Sequence, residues 1–463
     1  MNYIPNTDAD RAEMLKVVGA GSVAELFGDV PEGYRFPMLA LPPALSEMEV
    51  IEELNALANE NDDLHHLACF LGAGAYNHFV PSVVDFLLHR SEIFTAYTPY
   101  QPEISQGTLQ AHYEYQSMIC ALTGMEVSNV SHYDGATAVA EAVIMALQMG
   151  RGKRNKVILS PTLNPQYRAV VRTYTQGMAL EIVGEDAGPS IRPVGQSGDV
   201  LDALAVLLDK QTACVVVQNP DFLGRLYTPA EMQALADQVH AAGAQFVVSA
   251  DPISLGVFVP PGQYGADVVT GEGQPMGNAI SFGGPYLGFF AMKKDDVRRS
   301  AGRIVGQTVD TDGKRGFVLT LSTREQHIRR EKASSNICSN QALNALAAAI
   351  YMAAMGKYGL RTVAELSYHK AHYAAGLIGQ LPGYEVISRG PFFKEFVVRC
   401  PRPVAMINDI LLERYGMVGG YDLGGDYPDL ADHMLLCVTE MNSRAQIDLL
   451  VEALQEVTTM NPD

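Results

Sequence analysis

Charge is scarce in this chain, and basic charge is scarcer still. Charged residues fill 18% of its 463 positions, below the roughly 25% of an average soluble domain. The 33 Lys and Arg against 52 Asp and Glu leave a formal net charge of −19 at pH 7. The densest basic cluster, Arg324 to Lys332 (REQHIRREK), itself holds two Glu. That balance excludes a nucleic-acid partner, which needs clustered Lys and Arg to displace counterions. No apolar run reaches the roughly 18 residues of a membrane span; the best candidate, 345–355, ends in Gly356-Lys357. The six cysteines (Cys69, Cys120, Cys214, Cys338, Cys400, Cys437) include no CxxC pair, which argues against a zinc site or disulfide frame and suits a reducing compartment. The opening MNYIPNTDADRAEM is polar and acidic, unlike a signal or transit peptide, so a soluble cytoplasmic protein is the expectation. Between Lys210 and Lys293 there is no lysine at all.

What is present is a large apolar chain. Counting Gly and leaving out Tyr, roughly 52% of it is apolar, slightly above the usual range, and the length suits about two or three domains. Thr7 and Ser46 are placed to cap helices over 8–18 and 47–58, and the prolines at 31, 37, 42 and 43 make the link between them extended. Helices fit near 81–89 and 106–123. The segment between them, rich in Tyr, Pro and Gln, has no regular period. From about residue 133 the pattern alternates: helices over 136–149, 165–174, 200–208 and 229–242 are separated by short apolar runs at 156–160, 179–183, 213–218, 245–250, 267–270 and 287–292. Short Val/Ile runs between amphipathic helices predict a mostly parallel sheet buried on both faces. An Ala-rich helix over 341–355 then leads to a smaller α+β unit with strands near 395–398 and 434–438. The expected division is an N-terminal helical arm (1–60), a large α/β domain (61–320), and a connecting helix with a small C-terminal domain (321–463).

In an open α/β sheet, ligands bind beyond the carboxyl ends of the strands, and three features fall there. The helix at 136 is preceded by Ser131-His132-Tyr133-Asp134-Gly135, a helix start able to hold a phosphate on its free N–H groups, or one simply capped by Asp134. Asp251 ends the run QFVVSAD, where a carboxylate can hold a protonated ring nitrogen, or can make an ordinary turn before Pro252. The stretch GEGQPMGNAISFGGPYLG (271–288) carries six glycines but lacks the Lys-Ser/Thr ending of a nucleotide loop. Phosphate seat, ring-nitrogen carboxylate and glycine-rich hairpin together describe the frame of a pyridoxal-phosphate enzyme, which needs a Schiff-base lysine just before that hairpin. The expected place reads Glu272-Gly273-Gln274-Pro275, and Lys293 and Lys294 fall at the far end of the next strand. The frame is there without its covalent anchor.

Five stretches carry a likeness that runs nearly end to end: YIPNT with DRAEML, FLGAG, AYTPYQPEISQGTLQ, YDGATAVAEA, and STREQHIRREKASSNICSNQAL. In these the chain resembles the glycine decarboxylase P-proteins of the glycine cleavage system, on the alpha-subunit (subunit 1) side of the two-subunit bacterial form. The resemblance implies a pyridoxal-phosphate transferase fold (fold type I). It also implies a partner beta subunit that holds pyridoxal phosphate on its lysine, two of each chain in the assembly, and a lipoylated H-protein. Glycine is the implied substrate: it loses carbon dioxide, and the aminomethyl group passes to the lipoyl disulfide, which is reduced. This chain then binds no cofactor covalently.

Active sites of that fold lie at subunit interfaces, so a chain without its own lysine can still lend side chains to its partner. Tyr97, Tyr100 and Glu103, in the proline-stiffened segment 97–103, are the candidates for that contribution, with hydroxyls suited to a glycine carboxylate or a cofactor phosphate. Packing at the interface is the plainer role for them. His132 and Asp251 match cofactor-facing positions of an active paralogue and are expected to be vestigial. Arg324 and Asn336 lie in the other peculiar motif, where Arg324 suits either an anion or a surface ion pair. Two further readings stand beside the catalytic subunit: a purely structural scaffold subunit, and a self-sufficient homodimeric pyridoxal-phosphate enzyme, which the missing lysine opposes. Low charge and abundant apolar surface suggest an interface of well over about 2,000 Å².

Overall fold

Two capped helices open the chain. The computed structural model describes residues 6–185, 200–333, 335–388 and 390–459, and these fall into two units, one up to Asp63 and one from Leu64 onward. In the first unit, α1 (Asp8–Val18) starts at a capping box between Thr7 and Asp10, and α2 (Glu47–Ala58) starts at another between Ser46 and Glu49. Each box satisfies backbone N–H groups that a helix start otherwise leaves open. Neither helix buries a single residue. Val17, Met48, Ile51 and Leu54 all stand exposed. Helices of 11 and 12 residues are marginal without a packed face, so this unit carries an apolar surface of the kind that packing normally covers.

The second unit is built on a seven-stranded sheet. In chain order its principal parts are α3 (Gln106–Thr123), β1 (Val127–Ser128), α4 (Gly135–Met149), β2 (Lys156–Leu159), β3 (Glu181–Val183), β4 (Thr212–Asn219), β5 (Gln245–Ala250), β6 (Val268–Glu272) and β7 (Gly288–Met292). The strand order is β1-β7-β6-β5-β4-β2-β3. Pairing is parallel from β6 across to β3, while β7 runs antiparallel to β6 and β1 antiparallel to β7. The register sets Val215 beside Phe246 and Val247 beside Val268. These side chains are fully buried on both faces of the sheet, which is why the strands read as continuous apolar runs. The glycine-rich stretch is the β6–β7 connection of an antiparallel pair, as its composition suggested.

Two features differ from the sequence reading. The Ala-rich helix does not stop at residue 355: α5 runs Ala342–Ile378, with a break at Gly356 (φ 57°, ψ −176°). Gly-Lys reads as a helix stop, but the left-handed backbone that glycine tolerates lets the helix turn and continue. Ile304–Val309 and Arg315–Thr320 form an antiparallel hairpin that short polar strands had concealed. Beyond α5, strands Glu385–Val386, Glu395–Arg399, His433–Cys437 and Tyr421–Asp422 make a second sheet in that order, antiparallel throughout. Helices Val404–Tyr415 and Arg444–Thr459 cover it through Ile407, Leu411, Ile447, Leu450 and Leu454. All six cysteines are free. Among the described residues no helix is long and apolar enough to cross a membrane.

Candidate functional site

The crevice at the carboxyl ends of β5 and β6 is filled by the chain's own charges. Asp251, one residue past β5, accepts the backbone N–H of Ile253 at 2.8 Å through one oxygen. Its other oxygen lies 2.6 Å from Lys394 Nζ. Lys394 comes from the residue before the strand Glu395–Arg399, and its side chain is 2% exposed. The ammonium sits 3.4 Å from the centroid of the Tyr76 ring and 3.0 Å from His78 Nε2, a cation–π contact and a hydrogen bond in one pocket. His78 Nδ1 in turn meets Glu440 at 2.7 Å. Burial, together with the charge of Lys394, pulls the His78 imidazole below its ordinary range. Glu395 accepts from the Ala73 backbone at 2.7 Å and from the Tyr76 hydroxyl at 2.9 Å.

The helix start of α4 is occupied in the same way. Asp134 caps it, accepting the Thr137 N–H at 2.7 Å, so the capping role is the one observed. The Gly135 N–H donates to Glu272 Oε2 at 2.9 Å, while Gln274 and Leu287 N–H donate to Glu272 Oε1 at 2.9 and 3.0 Å. Burial pushes the Glu272 carboxyl up to about 8, against the pull of those three donors. A Cβ at position 135 would lie 2.4 Å from the Tyr167 hydroxyl and 2.9 Å from the Glu272 backbone nitrogen, so glycine lets the helix start lie this close to β6. The cavity beside Asp251 and Lys394 measures about 10 Å³, the space of one water. The residues present therefore do not fit pyridoxal phosphate: one carboxyl fills the phosphate seat, one ammonium takes the ring-nitrogen carboxylate, and among the described residues the space beside Asp251 is far smaller than a ring. The expectation of a crevice without lysine is corrected here, since Lys394 enters it from the second sheet. Lys293 does point away, pairing with Asp267 at the opposite end of β6.

A second feature on the same unit is open. A cleft of about 210 Å³ is lined by Tyr97, Thr98, Ser131, Arg303, Ser339 and Asn340, among others. Arg303 is 6% exposed. Its Nη2 donates to the Tyr100 hydroxyl at 2.8 Å, its guanidinium lies 5.1 Å from the Tyr100 ring centroid, and its Nε is 3.4 Å from Glu325. Thr98 bonds Ser339, and Ser131 bonds Asn340, so the two peculiar motifs of the sequence meet across this cleft. Although burial opposes it, the Arg303 guanidinium holds the Cys338 thiol below its ordinary range. The rest of the wall is largely apolar, with Ile93, Val130, Leu319 and Leu346, and Arg303 gives it a buried cation suited to an anionic group, a carboxylate or a phosphate.

The sequence-selected residues thus separate. Tyr97 is 81% exposed in the cleft wall, and Tyr100 braces Arg303. Glu103 is exposed on the turn Pro102–Ile104 and does not line the cleft. His132 is fully buried, 2.9 Å from Asn129 Nδ2 and packed on Phe290, and does not line the cavity around Asp251. Arg324 binds the backbone carbonyls of Ser300 and Gly302 at 2.6 and 2.5 Å rather than an anion or a surface acid. Asn336 is exposed. Sequence reasoning missed Lys394, Glu395 and Arg303. The first two carried a signal, a Lys-Glu pair inside the apolar run PFFKEFVV.

Buried ionisable groups also set a pH profile. Burial pushes Glu141, Glu272 and Glu395 up to about 7, 8 and 7, and Asp221 up to about 6. These groups hold protons more tightly in the fold than in the unfolded chain. Their contribution is complete below about pH 4 and is lost as pH rises through about 6 to 8. His112 and His132 act in the opposite sense: burial pulls them down to about 4 and about 3, so stability falls as pH drops below about 6.5. The four carboxyls outnumber the two histidines, so thermal melts of the isolated chain are expected to decline steadily from about pH 5 toward pH 8. A melting temperature still rising at pH 8 would contradict these assignments.

Comparison with known proteins places this geometry. Residues 1–454 match the family described as glycine cleavage system P-protein. The protein named probable glycine dehydrogenase (decarboxylating) subunit 1 of Thermomicrobium roseum is 55% identical over 458 residues, 99% of this chain and 100% of that protein. Its namesake from Geobacillus sp. WCH70 is 50% identical over 453 residues, 98% of each chain. A crystal structure of glycine decarboxylase (P-protein) of the glycine cleavage system, in inhibitor-bound form, superposes with a TM-score of 0.86 at 43% identity, covering 99% of this chain and 100% of that one. Burkholderia pseudomallei sphingosine-1-phosphate lyase, at 14% identity and a TM-score of 0.65 over 93% and 94% of the two chains, shares the fold alone. That fold is the type I pyridoxal-phosphate transferase fold, as the sequence suggested. The chain belongs to the glycine cleavage system P-protein family.

Proposed function

We propose that the chain acts as subunit 1 of a two-subunit glycine dehydrogenase (decarboxylating) in the bacterial cytoplasm. In this reading a partner beta subunit, two copies to two of this chain, holds pyridoxal phosphate, and a lipoylated H-protein receives the aminomethyl group. The observation that carries the reading is the conjunction of end-to-end similarity to proteins named as subunit 1 with a crevice closed by Lys394 and Glu272. The cofactor, where the partner binds it, supplies the electron sink that lets glycine lose carbon dioxide. This chain's part is to bind and orient. The open cleft presents Tyr97 and a buried Arg303 to an anion, and Arg303 fixes the Tyr100 ring and hydroxyl. A closed crevice also argues against a self-sufficient homodimeric enzyme.

The test is reconstitution. The chain alone should release no carbon dioxide from glycine, and mixing it with the beta subunit, pyridoxal phosphate and lipoylated H-protein should restore release. Activity of either chain alone would defeat the subunit reading.

The N-terminal arm belongs to the same proposal, as a surface that the beta subunit covers. Ile51 and Leu54 of α2 are exposed, so their replacement should leave the isolated chain folded. Ile51→Glu with Leu54→Glu is expected to weaken assembly at least tenfold, equivalent to about 1.4 kcal/mol, while leaving the melting temperature of the isolated chain unchanged. Light scattering of the mixed subunits measures the first, and undiminished assembly would show that the arm lies outside the interface.

A further inference from the structure

The filled crevice is more than a lost site. Glu272 stands where the sheet frame expects the Schiff-base lysine, yet its carboxyl turns back to the helix start. There it takes three backbone N–H groups contributed by α4, the β6–β7 connection and the residue before β7. That is the donor set an oxyanion would receive, because helix-start N–H groups carry positive dipole ends. On the other side of the crevice, Lys394 presents an ammonium to the carboxylate that would otherwise meet a ring nitrogen. The two groups come from different sheets, and through His78 and Glu440 the second sheet, the loop after Phe70 and the end of β5 are tied into one buried network.

We propose that Glu272 and Lys394 are built-in occupants of the crevice, a carboxyl acceptor in the place of a ligand's oxyanion and an ammonium in the place of its cationic end, so that the site is closed to pyridoxal phosphate while a latent oxyanion seat persists beneath the Glu272 side chain. This goes beyond the subunit reading and does not depend on it, because it concerns this chain alone. The seat is built of backbone N–H groups from three segments, so it survives removal of the side chain that fills it. Its donors now hold a carboxyl group, so they fit a small oxyanion; formate matches that carboxyl, and phosphate is the larger probe.

The experiment uses the full-length chain without its partner. Wild type should show no saturable change in melting temperature with inorganic phosphate, formate or pyridoxal phosphate, against chloride at equal ionic strength. Glu272→Ala should melt lower than wild type, and formate or phosphate should raise its melting temperature by several degrees in a saturable manner, since an ion that binds only the folded form stabilises it. After incubation with pyridoxal phosphate and borohydride, peptide mapping of wild type should find Lys394 unmodified. Saturable stabilisation of wild type by any of the three probes, or labelling of Lys394, would overturn the proposal, as would a folded Glu272→Ala that responds to neither anion. Should that variant not fold, Glu272→Gln decides. Its amide keeps one acceptor oxygen but turns a donor toward at least one of the three N–H groups, so it must melt lower than wild type, and equal stability would overturn the proposal. None of these readouts involves glycine turnover, so their failure is distinct from failure of the subunit assignment.

Discussion

Lys394→Met is expected to destabilise the isolated chain by about 3–5 kcal/mol, because it leaves Asp251 buried without its counter-ion. Methionine keeps the unbranched stem that packs beside Phe393 and Tyr76, so the loss is one of charge more than of volume. The Asp251 side chain is only 11% exposed, and the cavity beside it, with room for a single water, is too small to solvate the carboxylate as the ammonium does. Adding Asp251→Asn to Lys394→Met should recover most of the loss, since the pair then carries no uncompensated charge. Urea unfolding of the four proteins in this cycle gives the coupling directly. A single Lys394→Met within about 0.5 kcal/mol of wild type, the scatter of an ordinary surface change, would show that the ion pair does not hold the crevice shut.

In the reconstituted enzyme, Tyr97→Phe and Tyr100→Phe are each expected to lower glycine turnover efficiency. If a hydroxyl binds the substrate carboxylate or the cofactor phosphate, its removal should cost about 1–3 kcal/mol, or roughly five- to 150-fold in kcat/KM. The two positions differ in how they lose it. Tyr97 is exposed in the cleft wall, so in this proposal its hydroxyl would act directly on what enters. Tyr100 already accepts from Arg303, so its removal frees the guanidinium and acts through it. Phenylalanine retains the ring in both, and simple packing should survive. Variants that assemble normally and keep nearly full activity would make the segment a packing element and favour a structural scaffold subunit.

The fold was largely legible because its signals are local. Thr7 and Ser46 cap the helices where their side chains can reach N3, and the Val/Ile runs at 213–218 and 245–250 became β4 and β5 with small shifts of boundary. Gly356 was misjudged because a left-handed residue ends one helical segment and begins another with the same composition. The site was less legible for a different reason. The absence of lysine over 211–292 pointed to a crevice without lysine, but Lys394 arrives there from 143 residues beyond Asp251. No spacing rule connects the two. Arg303 and Tyr100 are likewise 203 positions apart, and their pairing exists only once the hairpin at Ile304–Val309 has folded beside α3.

The closed crevice has a consequence for how such a chain can change. Restoring a cofactor seat would require removing Glu272, removing Lys394 and supplying a lysine near 272. Each of the two removals passes through a form with a buried group left unsatisfied: Asp251 without its cation, or three N–H groups without their acceptor. Such intermediates are penalised before any cofactor can stabilise them. Mutation by single steps therefore drives this chain away from independent catalysis more readily than back toward it. The division of labour between two subunits, once entered, behaves as a ratchet.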